Sequence, residues 1–285
     1  MRVKKFPPHG GKVPASDYVV VGGGCAANAS VACARLGAAV QFAGPLGDSK
    51  DETSNRIIAD LKAEGIDCDG VARVAGGTAS VSLILLDALG EKIIATRRGA
   101  RLGGALPADA AALVARADAV LIDNRFPEFA MAIARAAAKR RIPIVIDLDQ
   151  ATKVKDPLLA LGTHVIASAE ALRGTTRLED HAAALQMLGK QLSGFVAATD
   201  GPQGVYWLTP AGMQHMPAYD VEAIDTLGAG DAFHGAFAVA LAEGRDIAEC
   251  MRFATAAAAI KCTRFGGLKG APKRAEVEAF LGQQG

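Results

Sequence analysis

The chain has 285 residues, 51% hydrophobic and 21% charged, enough to bury a sizeable core in one large domain. Lys and Arg number 31 against 30 Asp and Glu, so no net field draws nucleic acid or an anionic membrane surface. Cys25, Cys33, Cys68, Cys250 and Cys262 show no metal-ligand spacing, no apolar run reaches the ~18 residues of a membrane span, and no signal peptide opens the chain; a reduced, cytoplasmic protein is expected.

In chain order, Met1–Val21 has no clear rhythm. A helix is predicted near Asn28–Leu36, a strand at Ala39–Ala43 and a helix at Glu52–Glu64. Apolar runs at Ser80–Asp87 and Lys92–Ala95 flank a short turn, Ala88–Glu91, so they pair antiparallel as a ribbon standing off the main sheet. Helices at Ala108–Ala115, Glu128–Arg140 and His181–Gln191 then alternate with strands at Ala119–Asp123, Ile142–Asp147, His164–Ala167 and Phe195–Thr199. That alternation predicts an α/β fold with a mainly parallel sheet and a ligand site at the carboxyl ends of its strands.

The strongest local signal is Asp225-Thr226-Leu227-Gly228-Ala229-Gly230-Asp231-Ala232-Phe233, followed by a helical run. Glycines let a ligand approach the backbone, and the unpaired amides of a starting helix form an anion site. Asp231 sits in the first turn, where the helix dipole favours its ionised form. A carboxylate beside an anion hole repels phosphate unless a hydroxyl lies between them. Phosphoryl transfer to an alcohol needs that arrangement, with Asp231 as base and amides offsetting charge on the transferred group.

Asp225–Phe233 resembles the carboxyl-terminal signature of the ribokinase-like (PfkB) carbohydrate kinases, and Gly23-Gly24-Cys25-Ala26-Ala27-Asn28-Ala29-Ser30-Val31-Ala32 resembles the amino-terminal one. Gly44–Asp48, Thr199–Gly204 and Arg252–Gly267 extend the resemblance over nearly the whole chain, treated as one domain of residues 1–285. It implies a three-layer sandwich with a small β-sheet lid drawn from about residues 10–21 and 79–96. Family members open with a further strand, so the resemblance also implies one missing before Met1.

By the same resemblance, Asp231 is the catalytic base, and Gly228, Ala229 and Gly230 form the anion hole. Gly23, Gly24 and Asn28 contact the sugar; Thr199, Gly201 and Gly204 contact nucleotide phosphate; Ala257, Ala258 and Lys261 wall the adenine pocket. Asp225 and Thr226 lie where many members bind a monovalent cation such as K⁺, and Mg²⁺ is expected with ATP. The family's Asn-x-x-Glu magnesium motif is altered: Ser168 takes the asparagine place and Glu170 is out of register. Lid pairing implies a homodimer.

The branch with most likeness is that of sulfofructose kinase and ketohexokinase, through Gly22–Gly24, Leu121–Arg125 and Ile260–Arg264. Lys12 and Arg125 match positions that reach an anionic substrate end there; alternatively Lys12 is a solvated lysine and Arg125 pairs with Asp123 or Glu128. The expectation is an ATP-dependent kinase of a ketose, 6-substituted or not. A nucleoside or pentose kinase, or an impaired binding regulator, is the alternative. A dinucleotide site at Gly22-x-Gly24-x-x-Ala27 fails for want of an acid at the end of the next strand. His181, His215 and His234 share no ligand spacing.

Overall fold

The structure is a computed structural model describing residues 1–7, 9–88 and 92–284. Its strands are β1 (Arg2–Val3), β2 (Ala15–Asp17), β3 (Gln41–Gly47), β4 (Asp67–Val74), β5 (Val81–Leu86), β6 (Lys92–Arg97), β7 (Val120–Asp123), β8 (Ile144–Leu148), β9 (His164–Ser168), β10 (Phe195–Thr199), β11 (Val205–Thr209) and β12 (Gly212–Met216). The main sheet has six strands in the order β12-β11-β10-β9-β8-β7, with β7 to β10 parallel and β11 and β12 antiparallel at one side.

Side chains alternate between the two faces of this sheet, and helices cover both. Val145, Ile166 and Ala197 point into one core, against α8 (Ala229–Ala242) and α9 (Ile247–Cys262). Ile144, Ile146, Val165, Ala167, Val196 and Ala198 point into the other. That second core also takes side chains from α4 (Pro127–Arg140), α5 (Pro157–Leu161), α6 (Ala169–Thr176) and α7 (His181–Gln191). All five residues of β8 are buried, which explains its unbroken apolar run up to Asp147.

A third core joins α1 (Cys25–Arg35) and α2 (Glu52–Ala63) to β3 and β4. These two strands form a parallel pair of their own, so the expected sheet is divided: among the described residues, β3 pairs only with β4 and β7 only with β8. The helices α3 (Ala110–Val114) and α10 (Arg274–Gly282) complete the set.

A separate four-stranded sheet stands where the sequence places a lid, with altered membership. Its order is β2-β1-β5-β6, and β5 and β6 pair antiparallel from Val81 with Arg97 to Leu86 with Lys92, as the sequence predicts. From the amino-terminal stretch, Arg2–Val3 supplies the inner strand, and only Ala15–Asp17 of residues 10–21 is strand. Leu89, Gly90 and Glu91 of the predicted turn lie outside the described residues.

Helix α8 is apolar all round because it is the central helix of its layer: every residue from Ala232 to Ala240 is buried. It approaches α1 closely at Gly235, where an added Cβ would lie 2.8 Å from the Ala29 carbonyl oxygen. A larger residue there would push α1 away. This contact sets Asn28 of α1 opposite Asp231 of α8.

Candidate active site

The register of the parallel strands aligns their ends: Asp123 of β7 pairs with Asp147 of β8, and Ser168 of β9 with Thr199 of β10. All four face one cavity of about 2550 Å³. It is also lined by Met1, β3, β5, Gly23, Gly24, Asn28, the Asp225–Asp231 segment, Gly201, Gly204 and Ala258. The site thus lies where open α/β sheets bind ligands.

Gly228 caps α8 with φ 80°, a left-handed conformation that glycine adopts without strain. The turn consumes one expected donor, since the Ala229 N–H donates to the Thr226 carbonyl at 3.2 Å. The amides of Gly228, Gly230 and Asp231 have no acceptor among the described residues, so these three are the donors the turn leaves open to an anion. Asp231 replaces Ala229 in the set that the sequence predicts.

The Asp231 carboxylate accepts from Asn28 Nδ2 at 2.6 Å. Burial, then the nearby Asp147, pushes its pKa up to about 6, while Asn28 opposes the rise. Asp231 is therefore ionised at neutral pH but a stronger base than an ordinary aspartate, the reverse of the lowering expected from the helix dipole, because burial outweighs it. Asn28 Oδ1 is buried with no partner. An orphaned buried carbonyl costs about 1–3 kcal/mol, which makes Oδ1 a candidate acceptor for a ligand hydroxyl.

Sequence reasoning missed the groups behind the base. Cys25 Sγ and carboxylate oxygens of Asp147 and Asp231 lie within 4.8 Å of one another. Burial, then Asp231, keeps the Cys25 thiol protonated. Burial, then Asp123 and Asp149, drives Asp147 well above the usual carboxylate range.

His234 sits behind Asp147 and is held through both ring nitrogens. Its Nδ1 lies 2.7 Å from the Gly230 carbonyl, and its Nε2 lies 3.3 Å from the Ile166 carbonyl and 3.5 Å from Asp147. Burial lowers the pKa of the ring. The imidazole thus ties the first turn of α8 to β9 and to Asp147 of β8. The signal available beforehand was the pair Asp147 and Asp149 at a strand's carboxyl end.

Asp123 accepts from the Ala26 N–H at 3.2 Å and the Arg125 N–H at 3.0 Å, fixing the start of α1. Arg125 borders the cavity, but its guanidinium is paired with Asp149, a carboxylate the sequence reading did not name. Lys12 is exposed and does not line the cavity, so the structure does not bring it together with Arg125. Ser168 lines the cavity and caps α6, accepting from the Ala171 N–H at 3.1 Å; Glu170, exposed between the buried Ala169 and Ala171, borders the same cavity.

The adenine wall is revised. Ala257 is wholly buried in the core, and Thr255, Ala258, Ala259 and Cys262 present the cavity face of α9. Lys261 points away from the cavity and is 1% exposed. Its Nζ donates to the Asp225 carbonyl at 2.6 Å and sits 3.7 Å from the Asp225 carboxylate.

Asp225 is not an open ligand. One carboxylate oxygen accepts from the Leu227 N–H at 2.9 Å, the other from Gly266 at 3.0 Å and Gly267 at 3.3 Å. Burial alone would raise its pKa; these donors and the Lys261 ammonium hold it below the ordinary value. The expected monovalent-cation site at Asp225 and Thr226 therefore does not fit a free ion in this chain.

A half-buried carboxylate with a raised pKa, an open amide cluster and a strand-end cavity are the parts that phosphoryl transfer to an alcohol needs. The chain belongs to the pfkB family of carbohydrate kinases, whose model matches residues 2–274, and it is an ATP-dependent carbohydrate kinase. Ribokinase of Bacillus subtilis is 33% identical, over 97% of this chain and 93% of its own. A crystal structure from Agrobacterium tumefaciens superposes with a TM-score of 0.94 at 36% identity, covering 99% of this chain and 93% of that one. Arabidopsis thaliana ribokinase complexed with ribose and ATP gives 0.83 at 26% identity, covering 98% and 94%. The fold is ribokinase-like, and the expected sulfofructose kinase and ketohexokinase branch finds no support among these relatives. No helix among the described residues is long and apolar enough to cross a membrane.

Proposed function

We propose that this kinase phosphorylates a hydroxyl of a ribose-like pentose, residues 1–285 acting as one catalytic domain. The observation that carries the chemistry is the Asn28–Asp231 pair set beside three unpaired amides in one cavity. The sugar lies against the Gly23 and Gly24 backbone, with one hydroxyl donating to Asn28 Oδ1 and the acceptor hydroxyl at Asp231. As the γ-phosphoryl group of MgATP moves in line onto that oxygen, Asp231 takes the proton. The amides of Gly228, Gly230 and Asp231 offset charge on the moving group. Thr199, Gly201 and Gly204 flank the nucleotide phosphates, Ala258 borders the base, and Mg²⁺ enters as part of the nucleotide substrate.

The pentose reading rests on the likeness to two ribokinases, one of them complexed with ribose. It also rests on the state of the two basic residues. Arg125 is already paired with Asp149 and Lys12 stands outside the cavity, so the pair expected to grip the charged end of a 6-substituted ketose is not assembled. An impaired regulator would have no use for a half-buried carboxylate of raised pKa beside open amides.

A coupled ADP-release assay over ribose, other pentoses, fructose, 6-substituted ketoses and nucleosides tests this. Ribose is expected to exceed fructose by about tenfold or more in kcat/KM, the scale set by a few unmatched hydroxyl contacts. A fructose preference would refute the pentose reading. Unchanged turnover by Asp231→Asn would remove the base. Val81, Leu83 and Ile93 share one face of β5 and β6, each at least 46% accessible, and this apolar face suits pairing with a second copy. Sedimentation at micromolar concentration would report a dimer, and a monomer there would refute it.

A further inference from the structure

The hydrogen-bond and ion-pair partners of the Lys261 ammonium are all oxygens. Its Nζ donates to the main-chain carbonyl of Asp225 at 2.6 Å and of Arg264 at 3.4 Å, and the Asp225 carboxylate lies 3.7 Å away. Two carbonyls and a carboxylate, closed off from solvent, are the donor set that hard monovalent cations choose, and an ammonium is close to potassium in size and charge.

The position gives this cation a task. The loop leading to Gly228 and the loop after α9 are stitched together here: the Ile224 and Asp225 amides both donate to the Cys262 carbonyl, at 2.8 and 3.0 Å. Asp225 closes the stitch by accepting from Gly266 and Gly267. One loop ends at the cap of α8, beside the free amides; the other, at Gly266 and Gly267, lines the cavity. The lysine stem is held as well, since a Cβ on Gly270 would come 3.3 Å from Lys261 Cε.

We propose that Lys261 is a tethered monovalent cation: its ammonium stands in for a free ion and holds the two loops that shape the anion hole, making the enzyme independent of potassium. Where a free ion would be gained and lost with solution conditions, a side chain anchored in α9 is always present. Lys261 is thus a positioning residue, acting on the transferred phosphoryl group only through the Asp225–Gly228 loop. The idea rests on the kinase reading for one of its two readouts and not for the other.

The test compares the native chain, Lys261→Ala and Lys261→Met in potassium, ammonium, sodium and choline chloride at equal ionic strength. Thermal midpoint and kcat/KM are both measured. The native chain is expected to vary less than twofold in kcat/KM across the four salts, with an unchanged midpoint. Lys261→Ala, which vacates the oxygen nest, is expected to lose tenfold or more in choline and to recover several-fold in potassium or ammonium, with a parallel rise in midpoint. Lys261→Met fills the same space without charge and should not recover.

A tenfold activation of the native chain by potassium would overturn the proposal. So would a Lys261→Ala protein that ignores potassium and ammonium in both readouts. Should both variants fail to fold, the cation response of the native chain still decides. A potassium-dependent midpoint in Lys261→Ala without pentose phosphorylation by any form would uphold the tethered cation and reject the pentose assignment.

Discussion

Asp225 and Asp231 are two acids six residues apart, one before and one just inside the same helix start, and their surroundings have opposite effects. Around Asp225 every carboxylate oxygen has a backbone donor and a lysine stands beside it, so the group is held ionised and its pKa is lowered. Around Asp231 there is one side-chain donor, a second buried acid and a set of amides with nothing to bind, and its pKa rises to about 6. Complete satisfaction marks a structural clamp, whereas polar groups left open in a buried place mark a site that awaits a ligand.

Substitutions should separate the two. Asp231→Asn is expected to lower kcat by about 10²–10⁴-fold, the usual contribution of a general base, with the fold retained by circular dichroism. A loss below threefold would place the proton acceptor elsewhere. Asp225→Ala should instead act on stability, by roughly 3–5 kcal/mol in urea unfolding, because Lys261 is left buried without its counter-charge. A change under 1 kcal/mol would show the clamp to be ornamental.

The raised pKa of Asp231 has a definite sign for stability. Between the ordinary value of 3.8 and about 6 the folded chain keeps a proton that the unfolded chain has shed. Stability from this group is therefore full below pH 4 and is lost as pH rises through 6, up to roughly 3 kcal/mol. Asp231→Asn should consequently be more stable than the native chain at pH 8 and level with it at pH 4. Equal differences at both values would argue that the carboxylate is solvated.

The smallest effect concerns the limb of the pH profile. In the native chain kcat/KM is expected to fall tenfold per unit below about pH 6, as Asp231 protonates. Asn28→Ala removes the donor that stabilises the carboxylate, so the limb should move to higher pH, and KM for the sugar should rise with the loss of Oδ1. A limb that stays in place would uncouple Asn28 from the base.

Much of this molecule was legible before folding was considered. The alternation of apolar runs gives the parallel strands from Val120 to Thr199, because residues two or four apart decide which face a strand or helix buries. The Gly228–Asp231 segment was readable for the same reason, since a helix start and its free amides are made by consecutive residues. The exchange of Ala229 for Asp231 as amide donor shows the limit, for it depends on one turn hydrogen bond to Thr226.

Sequence by itself thus determined the layered fold, the helix start and the place of Asp231 in its first turn, all products of local periodicity and local backbone chemistry. Tertiary structure alone decided that Asp147 and Cys25 stand behind Asp231, that Arg125 meets Asp149, and that Lys12 lies apart. It also decided that Lys261 turns inward to Asp225 and away from the cavity. Those outcomes depend on which distant segments the sheet brings together, and on how much water is removed when they meet; no spacing along a chain encodes either quantity.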